Sequence, residues 1–239
     1  MCEKSLFTVA SFAILCLANA APPSFITKCK TDDSKCAKES TRVAIPIFAE
    51  GLPESNVEKL DPVVFKFVDA STPNLKFILR DVTVKGLKDC QIKKVQRDKS
   101  KIQLKFLCEA SLDGDYELKG QLLVLAINGK GKLHVDLKST QINLVLNIED
   151  RKGDDGKTYW DIKSWSHSFD LKEKSNVVFE NLFDGNEVLA QAAKELIATN
   201  GNDIVKEIGG PMIKTTVDRV VTGVKNFFKA NPVEDLSID

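Results

Sequence analysis

Near the end of this chain apolar residues recur every three or four positions. From Asn202 to Lys229 they fall at Ile204, Ile208, Met212, Ile213, Val217, Val220, Val221, Val224, Phe227 and Phe228, the spacing of one helical face. A helix over this stretch is about 42 Å long at ~1.5 Å per residue. A compact chain of this size has a diameter of roughly 44 Å, so the helix would cross the whole body. Gly209-Gly210-Pro211 is expected to bend or divide it. A helix over Glu187 to Thr199 precedes it, with Leu189, Ala193, Leu196 and Ile197 on one face, and Asn200-Gly201-Asn202 stops it. Asn202 or Asp203 can cap the final helix. The tail from Asn231 is polar and acidic and is expected to fray.

Between Val63 and Phe179 the period changes to that of strands. Leu75 to Leu87 leads into a hairpin that turns at Asp98-Lys99-Ser100, and Ile102, Leu104, Phe106 and Cys108 alternate with polar partners on its return. A second hairpin is placed at Asn128-Gly129-Lys130-Gly131. A two-residue turn at Gly129-Lys130 pairs Ala126 with Leu133, Val124 with Val135 and Leu122 with Leu137, all apolar. Thr140, Ile142, Leu144, Leu146 and Ile148 alternate in turn, Arg151 to Gly156 is a polar turn, and Tyr159 to Leu171 returns as a strand. Ahead of the strands, Ala37 to Glu50 reads as a short helix carrying Val43, Ile47 and Phe48, with Pro46 disturbing it. An antiparallel meander with one apolar face needs a cover, and the long helix is the candidate. The expected fold class is therefore α+β, with the long C-terminal helix wrapped by a strongly curved antiparallel sheet. Such a body has an interior suited to an elongated apolar ligand. The expected lining residues are Phe48, Val124, Val135, Leu137, Leu144, Leu146, Val217, Val220, Val224 and Phe227.

The first 20 residues read as a signal peptide. Lys4 precedes an apolar run from Leu6 to Leu17, and Ala18-Asn19-Ala20 is a small-x-small cleavage site. The apolar run is shorter than the ~20 residues of a membrane span. The mature protein is expected to begin at Ala21, to be secreted and soluble, and to form one domain over residues 21–239. Cleavage leaves Cys29, Cys36, Cys90 and Cys108, which in an oxidising compartment imply two disulfides with three pairings open. Cys29 and Cys36 enclose a short polar loop. Cys90 and Cys108 lie symmetrically about Lys99, so that Cys90 faces Cys108 and Ile92 faces Phe106 across the hairpin. The absence of a C-x2-4-C pair argues against zinc.

The 34 basic and 34 acidic residues balance, so nothing in the global charge favours nucleic acid. Phe numbers 13 against two Tyr and two Trp, which suits a dry interior. No nucleophile elbow, metalloprotease helix, C-x-x-C or dinucleotide fingerprint occurs. No cofactor, metal site or catalytic residue is expected. His134 falls on an exposed strand face, and His167 lies in Ser164-Trp165-Ser166-His167-Ser168 without a supporting motif. No N-glycosylation sequon is present. The hairpin from Lys85 to Lys105 is basic, with Lys93, Lys94, Arg97, Lys99 and Lys101 near its tip. It reads either as a solvated strand surface or as a docking face for an anionic membrane or receptor.

Several short motifs, in order, resemble one family. They are the Cys29-x6-Cys36 loop after the signal peptide, Gly51-Leu52-Pro53-Glu54 through Leu60-Asp61-Pro62, and Val82-x-Val84-x-Gly86-Leu87. Gly114-x-Tyr116-x-Leu118-x-Gly120, Asn128-Gly129-Lys130-Gly131, Asn181 to Asn186, and Phe227-Phe228 before Pro232 follow. The mature chain resembles, over essentially its whole length, the insect takeout and haemolymph juvenile-hormone-binding protein family. The resemblance implies a tubular lipid-binding fold and a monomeric carrier of juvenile-hormone-like terpenoids, fatty acids or other long-chain lipids. It also implies a Cys29–Cys36 disulfide. The Cys90/Cys108 pair departs from the second disulfide of the lepidopteran hormone carriers, which lies later in the chain, and favours the broader takeout group. A membrane-active or host-defence lipid-surface binder is the alternative reading, and a secreted esterase a weaker third.

Overall fold

The computed structural model describes residues 23–238; the expected signal peptide lies outside the described residues. Helix α1 (Ser34–Glu50) is followed by strands β1 (Val63–Asp69), β2 (Leu75–Lys85), β3 (Gln91–Arg97), β4 (Lys101–Leu122), β5 (Leu125–Lys152), β6 (Thr158–Leu171) and β7 (Asn176–Phe179). Helices α2 (Glu187–Thr199), α3 (Gly201–Ile208), α4 (Gly210–Ala230) and the short α5 (Val233–Leu236) complete the chain. The strands form one curved antiparallel sheet that does not close on itself.

The sheet is organised by the β4–β5 ribbon. With 28 residues, β5 would extend about 90 Å if straight, twice the diameter of a body this size, so the ribbon must bend. It carries a bulge where Cys108 faces Thr140 and Ala110 faces Leu137, so that Lys138 and Ser139 stand opposite Glu109 alone. The ribbon's two ends have different flanks. Towards the turn, β2 and then β1 extend the sheet from β4, and β7 pairs with Leu133 to Asp136 of β5. Towards the other end, β3 pairs with Ile102 to Leu107 of β4, and β6 pairs with Thr140 to Lys152 of β5. Two apolar clusters follow this division. One joins β1, β2 and β7 to α2, α3 and Met212; the other joins β4, β5 and β6 to Val217, Val221, Phe227, Phe228 and Leu236. Ile213 packs against both.

The expected final helix follows the predicted path but is divided at Gly209 into α3 and α4, with Pro211 in the first turn of α4, where its missing N–H costs nothing. Asn202 does not cap it. Its side chain accepts from the Ser175 N–H at 2.8 Å and donates to the Glu173 carbonyl at 3.1 Å, tying the helix to the loop after β6. The α1 helix starts at Ser34, where Asp33 Oδ1 accepts from the Cys36 N–H at 2.9 Å, and it continues through Pro46. The tail is not frayed, because Leu236 is buried and Ser237 bridges to Cys29. Asn231, also buried, donates to Ser55 Oγ and to the Phe227 carbonyl.

The hairpin expected at Gly129-Lys130 is corrected. The ribbon turns at Leu123-Val124, so Leu122 faces Leu125, Leu118 faces Gly129 and Leu112 faces Val135. Gly129 and Gly131 lie inside β5 because other backbone crosses close above them. A Cβ on Gly129 would sit 2.8 Å from Tyr116 Oη, and one on Gly131 would sit 2.5 Å from the Glu180 carbonyl. The other expected hairpin keeps its predicted register at its base, with Ile92 facing Phe106 and a Cys90–Cys108 disulfide, but a bulge between Ile92 and Lys94 shifts its tip by one residue, so that Val95 faces Leu104 and Arg97 faces Ile102. Two further sequence marks meet where the Asp61 carboxylate accepts from the N–H groups of Gly86 and Lys88 at 3.1 and 2.9 Å.

Tyr116 locks β7 and the following loop onto the ribbon. Its hydroxyl donates to the Glu180 carbonyl at 2.6 Å, and its ring meets Phe179 edge-on at 4.9 Å. Burial first, then nearby Asp184 and Glu180, push its phenol up to about 12. An unfolded tyrosine titrates near ~10, so the folded state holds this proton more tightly. The stability this contributes is complete below about pH 10 and is lost as pH rises to about 12. Tyr116→Phe is expected to lose about 1–3 kcal/mol at neutral pH and to show a shallower fall in stability over that alkaline range. Denaturant melts across pH check both.

Candidate functional site

The pleat of the ribbon builds the site. In an antiparallel ladder facing residues point the same way. Ile102 with Leu146, Leu104 with Leu144 and Phe106 with Ile142 point inward, as do Cys108 with Thr140. Beyond the bulge Ala110 with Leu137 and Leu112 with Val135 do the same. The bulge shifts the phase of β5, so both halves of the strand face one space. From Val135 to Leu146 this inner track is about 36 Å long at ~3.3 Å per residue. The opposite wall comes from one stripe of α3 and α4, including Ile208, Met212, Val217, Val220 and Val224. Between them lies an elongated cavity of about 430 Å³, within the usual size of small-molecule sites.

Helix α1 adds a third side through Thr41, Ala44, Ile45 and Phe48, and the Cys29–Cys36 disulfide fastens its first turn. One end is packed with aromatics. Phe227 meets Phe25 at 6.0 Å and Phe48 at 5.8 Å, and Trp160 meets Phe228 edge-on at 5.2 Å. The other end is lined by Phe77, Phe179 and Ile204. Arg97 is the one charged side chain on the wall among the described residues. It lies 5.0 Å from the Trp160 ring and donates to Thr31 Oγ1 and Ser237 Oγ, each at 2.8 Å.

Of the residues expected to line the interior, Phe48, Val135, Leu137, Leu144, Leu146, Val217, Val220, Val224 and Phe227 all lie on this wall. Val124 does not. It sits at the ribbon turn, 86 % exposed, because the hairpin register that placed it inside is shifted. On α1, Val43 and Ile47 face solvent while Phe48 faces in. Thr41, Ala44 and Ile45 complete with Phe48 a helical stripe of which the sequence reading had named only Phe48. Trp160 and Val95 on the wall were also missed.

The histidines are outside the cavity. His134 lies on the outer face with Nδ1 2.7 Å from Asp113 and Nε2 3.1 Å from Asp136. Its pKa is raised, chiefly by the hydrogen bond to Asp113. His167 is lowered by burial. The hydroxyls of Ser164 and Ser168 accept from Asn147 and Asn143. Among the described residues no His, Cys, Asp or Glu group is arranged to hold a metal ion, and no helix is long and apolar enough to cross a membrane. Lys93, Lys94, Lys99 and Lys101 are exposed about the β3–β4 turn, but Arg97 turns inward to the cavity end.

The chain is similar to known proteins in fold and in sequence. The crystal structure of Takeout 1 from Epiphyas postvittana superposes with a TM-score of 0.85 at 28% sequence identity, covering 89% of this chain and 99% of that one. The circadian clock-controlled protein daywake of Drosophila yakuba is 25% identical over 206 residues, 78% of this chain and 76% of its own length. Its Drosophila melanogaster counterpart is 25% identical over 189 residues, 73% and 72% of the two chains. The family model for haemolymph juvenile hormone binding protein matches residues 6–237. This chain belongs to the takeout and haemolymph juvenile hormone binding protein family.

Proposed function

We propose that this protein is a secreted carrier that encloses one elongated hydrophobic molecule between the inner face of its sheet and the α3–α4 stripe. The observation that carries this reading is the wall: apolar along both ribbon strands and the helices, with Arg97 its one charged side chain among the described residues. The driving force is transfer of apolar ligand surface out of water, about 25 cal/mol per Å² before the costs of ordering. The ligand class is a juvenile-hormone-like terpenoid, a fatty acid or another long-chain lipid, bound one to one by a monomer of a single domain. The protein works by sequestration and not by catalysis, and it uses neither metal nor cofactor. The exposed lysines about the β3–β4 turn supply a docking face towards an anionic membrane or receptor during delivery.

Native protein purified from its source is expected to carry a co-purifying apolar lipid that mass spectrometry identifies, and its amino terminus is expected at Ala21. Binding to vesicles without extraction of monomeric lipid would instead support a lipid-surface role. Turnover of an ester substrate would support an esterase.

Val220→Phe or Val135→Phe fills cavity space without burying charge. Either is expected to weaken binding of a long-chain ligand on the order of tenfold, equivalent to about 1.4 kcal/mol, with a folded circular-dichroism spectrum. Val124→Phe, at the exposed turn, is expected to leave affinity unchanged. Affinity is also expected to change little with ionic strength, because neutral apolar contacts are not screened. Displacement of a fluorescent lipid probe at low and high salt reads all of these.

A further inference from the structure

On the cavity face of α4 one hydroxyl interrupts a row of aliphatic side chains. Ile213, Thr216, Val220 and Val224 follow at steps of three and four, all on the cavity wall. Each keeps part of its surface accessible. The residues on either side of the row, Met212, Val217, Val221 and Phe228, are buried in the two apolar clusters of the sheet. With its flanks sealed, the row turns its accessible surface to the cavity. The Thr216 proton is engaged, because Oγ1 donates to the Met212 carbonyl one turn back at 3.0 Å. What Oγ1 keeps is its capacity to accept. The rest of the wall supplies no spare hydroxyl donor in the middle of the cavity. Thr41 donates to the Ala37 carbonyl at 2.8 Å, and Ser40 is buried and accepts from the Thr27 N–H. Thr140 Oγ1 is fully enclosed. Ser111 lies between inward-facing Ala110 and Leu112, so the pleat points it outward, and Thr27 is exposed. The N–H donors of the wall, Arg97 and Trp160, stand together at the aromatic end. Phe228, which meets Trp160, is about 18 Å along α4 from Thr216 at ~1.5 Å per residue.

We propose that Thr216 is a specificity residue whose Oγ1 accepts a hydrogen bond from a neutral hydroxyl carried in the interior of an otherwise apolar ligand. This rests on the carrier reading above and narrows its ligand class to long-chain alcohols whose hydroxyl lies away from the chain ends. Along the helices Thr216 is about 12 Å from Ile208 and about 16 Å from Phe227 at ~1.5 Å per residue, so apolar arms extend from it in both directions. A ligand alcohol adds a hydrogen bond to those already present. A ketone, ester or ether has to draw the Thr216 proton away from Met212, which exchanges one hydrogen bond for another and gains nothing. An ammonium could donate too, but its charge would be buried without compensation. Packing does not require the hydroxyl. Valine has the shape of threonine, and α4 uses it at Val217, Val220, Val221 and Val224.

The test compares dioctyl carbinol, dioctyl ketone and heptadecane, which share one chain and differ at its centre. Each displaces phenylnaphthylamine from the parent protein, Thr216→Val and Thr216→Ser, and each affinity is referred to the compound's own partition from water into hexadecane. The parent should prefer the carbinol to the ketone. Thr216→Val should weaken carbinol binding by about two- to tenfold, the span of one neutral hydrogen bond, and leave the ketone and heptadecane no weaker. Thr216→Ser should retain the preference. A parent that binds the ketone as well as the carbinol, or a carbinol-to-ketone ratio unaltered by Thr216→Val, would overturn the role of Thr216 and leave the carrier intact. A parent that exchanges dye for none of the three would overturn the carrier reading and this inference together. The ranking in the parent needs no variant, so a misfolded Thr216→Val would not shelter the proposal.

Discussion

A two-stranded ribbon about twice as long as the body that contains it must coil, and the remaining elements are placed by that coiling. Curvature gives β4 and β5 a concave face, and the pleat assigns every second side chain to it. Neither strand end can be flanked by one continuous neighbour around such a bend. The sheet therefore uses separate partners for each half, β2 and β7 towards the turn, β3 and β6 away from it. The bulge at Lys138-Ser139 lies where these partners change over. One extra residue both relieves the bend and keeps the apolar side of β5 directed inward.

The concave face then needs an apolar body of matching length. The α3–α4 pair supplies it, divided at Gly209 so that the axis follows the two apolar clusters in succession. The helices do not fill the space. Large side chains crowd the ends while medium-sized Val, Ile and Leu line the middle, and the hydrogen-bonded ladder prevents the strands from collapsing inward. The Cys90–Cys108 and Cys29–Cys36 disulfides fix β3 and α1 at the margins. An unfilled apolar space forfeits dispersion contacts. The empty form is thus less stable than its wall composition would allow, and occupancy and stability are thermodynamically linked.

What the sequence made legible was periodicity, and what it hid was phase and proximity. The final helix, the α2 boundaries, the Asp98–Ser100 turn and the inward set from Leu144 to Phe227 all follow from spacing that local propensity and burial share. The β4–β5 turn was misplaced because Asn128-Gly129-Lys130-Gly131 carries the chemistry of a tight turn, whereas its glycines answer to Tyr116 and Glu180, distant in sequence. Leu123-Val124, the actual turn, has no Gly, Asn or Pro, and Leu123 takes a positive φ of 53°. The switch of alternation between Leu137 and Thr140 is visible in the chain, yet a loop and a bulge leave the same trace. The anchored tail was hidden for a related reason. Leu236 is one apolar residue among acids, and only its contact with the start of the chain makes it structural.

That contact has a consequence for how the molecule can be observed. Cys29 and Ser237 are bridged, Ser237 Oγ donates to the Cys29 carbonyl at 3.0 Å, Lys28 pairs with Asp235 at 3.6 Å, and Arg97 spans both segments. The beginning and end of the folded chain thus form a single clasp over the aromatic end of the cavity. Both segments border that end of the cavity. A fluorescent donor on one and an acceptor on the other would sit close enough for strong energy transfer when the clasp is shut. They would register its opening as a loss of transfer, without touching the cavity wall.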